Sequence, residues 1–138
     1  MKSKRSNPSI ISGSNNSQSS GYVDILITIY RMTEIYEFAM RLVQKRVYDN
    51  GISISITLSG IKNYKLCFCD SSRLLFRPYI SSINEIHLDS KLSTEELLAK
   101  GHDIALEKAI QVFESFNWLE PPHNIFVEDQ KKLLERRI

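Results

Sequence analysis

The 138-residue chain has no Gly-x-x-x-x-Gly-Lys-Ser/Thr, Gly-x-Gly-x-x-Gly, Gly-x-Ser-x-Gly or His-Glu-x-x-His run. The usual sequence marks of phosphate cradles, nucleophile elbows and zinc proteases are therefore missing. Glycine is scarce, with five in all and two of them before residue 22, which leaves little for a phosphate-binding loop. The two cysteines, Cys67 and Cys69, stand two apart, a spacing that suits a strand disulfide poorly. Zinc signatures use Cys-x2-4-Cys with a second matching pair. His87, His102 and His123 are the remaining soft ligands and lie at unhelpful distances along the chain. No metal and no cofactor is expected. No stretch approaches the roughly 18 uninterrupted apolar residues of a membrane helix. The basic start (Lys2, Lys4, Arg5) leads into Ser and Asn instead of an apolar signal core. The expectation is a cytoplasmic protein with no membrane partner.

The chain that remains has an ordinary globular composition, 42% hydrophobic and 25% charged, and a length that suits one domain. Its net charge of +2 conceals an asymmetry. Residues 31–77 hold eight bases and four acids (+4), whereas residues 78–129 hold three bases and ten acids (−7). Such a two-faced distribution favours docking through complementary patches over a general nucleic-acid coat.

Residues 1–21 are rich in Ser, Asn and Gly and poor in large apolar groups, so burial cannot offset their ordering entropy. They read as a flexible leader or tether, which suggests a larger assembly or a longer parent protein. Residues 22–122 read as one α+β domain, and 123–138 as an extension with a short charged helix at 128–137. Within the domain, Val23, Ile25, Ile27 and Ile29 alternate at period two and predict a strand over 22–30. Thr33 then serves as the N-cap of an amphipathic helix to Tyr48.

ISISITLSGIKNYKLCFCD (52–70) predicts a hairpin. Pairing Leu58 with Tyr64, Ile56 with Leu66 and Ile54 with Phe68 gathers the large apolar groups on one face, with 59–63 as the loop. That register puts Ser53, Ser55 and Thr57 on the same side as Lys65, Cys67 and Cys69. Further short strands are predicted within 72–79, ended by Pro78, and over 85–89. Ser93 and Glu96 form a capping box for a helix to Phe116, in which Gly101 marks a site for a bend. The resulting order, β-α-β-β-β-β-α-α, predicts an antiparallel sheet of four to five strands with two main helices packed on one face. The run of helix, three strands and helix is similar to a double-stranded RNA binding domain. Residues 91–107 are acidic where that domain carries lysines, however, and no Gly-rich loop opens the second helix, so the chain is not assigned to it.

Three groups of residues are candidates for function. Ser53, Ser55, Thr57, Cys67 and Cys69 make a small, nearly uncharged face that suits close approach by a protein partner or a second copy. Arg41, Lys45, Lys62, Lys65, Arg73 and Arg77 are the candidate phosphate contacts of the alternative reading, nucleic-acid binding. Glu85, His87 and Asp89 alternate along one strand, and a carboxylate beside an imidazole is the start of acid/base or metal-dependent hydrolytic chemistry. No further ligand or nucleophile is tied to them by spacing, so binding is favoured over catalysis. His102 falls in the apolar arc of the long helix and reads as a hydrogen-bonded boundary histidine.

Overall fold

A computed structural model describes residues 20–48, 50–68, 73–75 and 77–136. The elements are β1 (Gly21–Asp24), α1 (Ile25–Gln44), β2 (Ile52–Ser59), β3 (Tyr64–Cys67), β4 (Glu85–Leu92), α2 (Thr94–Ser115) and α3 (His123–Arg136). The class is α+β, as the composition of elements predicts. The strands do not form one sheet of four or five, because β1 pairs with β3 in parallel and β2 pairs with β4 antiparallel.

The first correction concerns residues 22–30. Only Gly21–Asp24 is strand, and the helix begins at Ile25, eight residues before the predicted cap at Thr33. Asp24 supplies the reason, since its carboxylate accepts the Ile27 N–H at 2.9 Å and satisfies a donor that the first helical turn leaves open. Ile25, Ile29, Met32, Tyr36, Ala39 and Val43 are all buried, so a helical repeat runs through the segment and outweighs its β-branched composition. Ile27, on the opposite side, is 51% exposed. Thr33 is instead buried in mid-helix, donating its hydroxyl to the Ile29 carbonyl at 2.8 Å.

The second correction concerns the hairpin. Leu58 lies opposite Ile86, not Tyr64, and Ile56 lies opposite Leu88. Gly60 and Asn63, both at positive φ, turn the chain sharply after β2 and send β3 alongside β1. Across this bend the ribbon continues through backbone bonds from Asn63 N–H to the Ser81 carbonyl and from Leu66 N–H to the Tyr79 carbonyl. Residues 73–75 and 77–80 are not a strand apart from a single bridge at Ile80.

The capping box at Ser93 and Glu96 is present in both directions, and α2 runs to Ser115 without a break. Gly101 is buried inside it, and a Cβ there would sit 2.9 Å from the Met40 sulfur, so its role is to let α1 approach rather than to bend α2. The core gathers between the helices around Phe113, Phe116 and Phe126, under the Ile86 and Leu88 side of β4. Tyr36 bridges the layers by its hydroxyl, 2.6 Å from Ser90 Oγ; burial pushes the phenol above its ordinary pKa, and the Ser90 hydrogen bond partly offsets that rise.

The third helix is longer than predicted, beginning at His123 instead of Glu128, and it is held by polar contacts. Gln130 donates from Nε2 to Thr33 Oγ1 at 3.0 Å and to the His102 carbonyl at 2.8 Å, tying α3 to α1 and α2 at once. If Asp24 starts α1, Asp24→Ala lowers stability by about 1 kcal/mol in denaturant unfolding, and Asp24→Asn, an equally good cap, costs clearly less.

Candidate functional site

The β2–β4 pairing joins two residue groups that sequence reasoning keeps apart. Ser53 lies opposite Lys91, Ser55 opposite Asp89, Thr57 opposite His87 and Ser59 opposite Glu85. All eight side chains are exposed, so Ser53, Ser55 and Thr57 share one flat face with Glu85, His87 and Asp89. Cys67 does not join them, because β3 carries it beside Asp24 of β1. Cys69 lies outside the described residues.

On this face His87 Nε2 is 2.9 Å from Glu85 Oε1, and His87 Nδ1 is 3.2 Å from Thr57 Oγ1. With Nε2–H donating to the carboxylate, Nδ1 accepts from the Thr57 hydroxyl. The order hydroxyl, imidazole, carboxylate is that of an activated nucleophile. Its surroundings are not, since the His87 and Glu85 side chains are 61% and 52% exposed on an open sheet, where bulk water reaches every member.

The edges of the same ribbon are treated unequally. A Cβ at Gly51 would run into the Leu92 carbonyl oxygen, so that carbonyl points at β2. Antiparallel alternation then turns the backbone groups of Asp89 away from β2, toward the outer edge of β4. There Lys108 of α2 donates its Nζ to the Asp89 carbonyl at 3.0 Å. A lysine over a strand edge is a common guard against further pairing. On β2 the same alternation directs the N–H and C=O of Ser53, Ser55 and Thr57 outward, and β4 is its only strand neighbour among the described residues. Its eight residues, ISISITLS, contain no charge and no proline. Its inner side chains, Ile52, Ile54, Ile56 and Leu58, are only half-buried, whereas Ile86 and Leu88 of β4 are 6% and 3% exposed. The helix layer thus lies beneath β4 and β2 overhangs it.

Comparison of the chain with known family models, curated proteins and solved structures finds no match.

The basic residues fall into separate places. Lys65, Arg73 and Arg77 line one recess of about 310 Å³ together with Tyr22 and Phe68. Arg41 and Lys45 lie at the far end of α1, Arg41 being 16 residues beyond Ile25 and so roughly 24 Å along the helix. Arg41 borders a smaller recess with Glu37 and His102, whose Nε2 is 3.2 Å from Glu37 Oε2, the boundary setting predicted for this histidine. Lys62 stands exposed in the turn between β2 and β3. Arg73 is committed within the fold: its guanidinium meets both Asp129 oxygens, at 2.9 and 2.6 Å, and lies 5.2 Å from the Phe68 ring centre.

Two residues that matter here, Lys108 and Asp129, escape sequence reasoning. Nothing local marks Lys108, because the carbonyl it covers belongs to another element. Asp129 had a signal: with Phe126, Gln130 and Leu133 it occupies helix positions spaced three and four apart, a polar pair in a core stripe. Its side chain is 4% exposed and that of Arg73 27%. Removing one partner of such a pair strands a buried charge, so Arg73→Met costs about 3 kcal/mol in chemical denaturation, and Asp129→Asn placed with it restores much of the loss.

Proposed function

We propose that this chain is a non-catalytic association module that accepts an extended strand from a protein partner along the outer edge of β2. The observation that carries the reading is the contrast between the two edges: on β4 Lys108 caps the Asp89 carbonyl, and on β2 no strand among the described residues lies against the outward backbone groups of Ser53, Ser55 and Thr57. Main-chain hydrogen bonds supply affinity in strand addition, and alternate side chains supply selectivity. Small hydroxyls on one side of β2 leave room for a neighbour's backbone, and the half-buried Ile row on the other gains cover from a neighbour's apolar side chains. The exposed Thr57, His87 and Glu85 chain supports a polar rim to that contact better than it supports hydrolysis. Separation of Arg41 and Lys45 from Lys65, Arg73 and Arg77 weighs against one continuous nucleic-acid face.

Panning a displayed library of twelve-residue peptides tests the reading. Enriched peptides are expected to alternate apolar and small residues, and Ser55→Pro, which removes an outward N–H while leaving the β2–β4 bonds in place, lowers their binding at least tenfold. Lys108→Ala leaves that binding intact and opens a second edge to association. Enriched peptides that bind Ser55→Pro as well as they bind the unaltered chain contradict the proposal.

A further inference from the structure

Resting on that reading, we infer that the strand β2 accepts is β2 of a second copy of the chain, running antiparallel across a two-fold axis perpendicular to the sheet. Three features of the edge make it complementary to itself. The first is the position of its outward backbone groups. Ser53, Ser55 and Thr57 point outward, so a two-fold axis at Ser55 sets Ser55 against the second copy's Ser55 and Ser53 against its Thr57, as pairs that exchange hydrogen bonds.

The second is side-chain matching. The same axis places Ile54 opposite Ile56 and Ile52 opposite Leu58 at the closer, non-hydrogen-bonded positions, where facing side chains touch most. Every apolar residue of β2 then meets an apolar residue, the hydroxyls of Ser53, Ser55 and Thr57 meet hydroxyls, and Ser59 falls opposite Gly51 at the end of the strand. A two-fold axis perpendicular to the sheet keeps both helix layers on one side, so the two overhanging Ile rows become neighbours and cover one another. Shifting the axis to Thr57 would carry Ser53 past the end of the strand, opposite Ile61 in the turn, and lose this match.

The third is charge. In a symmetric pair each residue meets residues of the same strand, so any like charge near the axis repels itself. With no charged residue, β2 escapes this penalty and offers nothing that would select a charged partner instead. The assembled sheet has the order β4, β2, β2, β4, with Lys108 capping the Asp89 carbonyl on each outer edge. The structure thereby closes as a dimer and does not propagate into a fibre.

Light scattering on size-exclusion fractions across a concentration series, followed by native mass spectrometry, tests this. The unaltered chain is expected to give a particle of twice 15.9 kDa that dissociates on dilution. Ser55→Pro shifts the chain to monomer while its circular dichroism is retained. Because the axis sets Ser55 against itself, Ser55→Lys and Ser55→Glu each weaken self-association several-fold, and a mixture of the two forms mixed dimers in clear excess over the statistical share. A chain that is monomeric at all concentrations, a dimer indifferent to Ser55→Pro, or a mixture with only statistical exchange overturns the inference. If the monomer still captures strand peptides through Ser55, the second copy is excluded while the association reading stands. Loss of both, or β2 edge amides protected in a monomer by residues 1–19 of the same chain, removes both.

Discussion

Half of the backbone hydrogen-bonding groups of β2 are turned away from β4, the only strand beside it among the described residues, and the surrounding structure decides whether that edge is closed or left open. The direction is fixed at one end of the ribbon, where the Leu92 carbonyl lies against Gly51 and sets the alternation for the whole pair. From there Ile52, Ile54, Ile56 and Leu58 bond to β4, and Ser53, Ser55 and Thr57 face outward. An edge satisfied by water alone is a template for another strand. On β4 a lysine of α2 caps one of the corresponding groups, the Asp89 carbonyl. On β2 it places eight residues that are flat, uncharged and small on their exposed side.

The helices explain why the two strands differ. α2 follows β4 directly, through the Ser93 capping box, and turns back beneath it, so the apolar side of β4 enters the core and that of β2 stays at its margin. That layer is stiffened by contacts that leave few buried polar groups without partners. Gln130 reaches Thr33 and the His102 carbonyl, and Asp129 holds Arg73 in a two-point contact. Aromatic packing of Phe113, Trp118 and Phe126 fills the space between α2 and α3. A rigid support of this kind keeps β2 extended and its edge groups in register, which lowers the ordering cost of adding a strand.

How much of this could be read from residues alone depended on how local each cause was. The Ser93 and Glu96 box announced α2 because a cap is a contact between residues three apart. The alternation of ISISITLS announced β2 and its two faces correctly, and it singled out Ser53, Ser55 and Thr57. It was silent about the partner, because Tyr64, Leu66 and Phe68 offer an apolar row as suitable as Ile86 and Leu88; the choice was made by the turn at Gly60 and Asn63 and by the length of β4. The start of α1 was misread because Val23, Ile25, Ile27 and Ile29 fit period two over seven residues, while the helical repeat that decides the matter emerges only from Ile25 to Val43. As for the site, its outward residues were legible and its open edge was not. Openness is a property of neighbours, and Lys108 on the opposite strand's edge has no counterpart in the local pattern.

The account stands most directly on residue-resolved amide hydrogen exchange along β2, followed as the chain is diluted. It predicts that the amides of Ile54, Ile56 and Leu58 stay protected throughout. Those of Ser53, Ser55 and Thr57 are protected in concentrated solution and exchange freely in dilute solution. Equal protection of all six at every dilution, or free exchange of the three edge amides at every concentration, would contradict it.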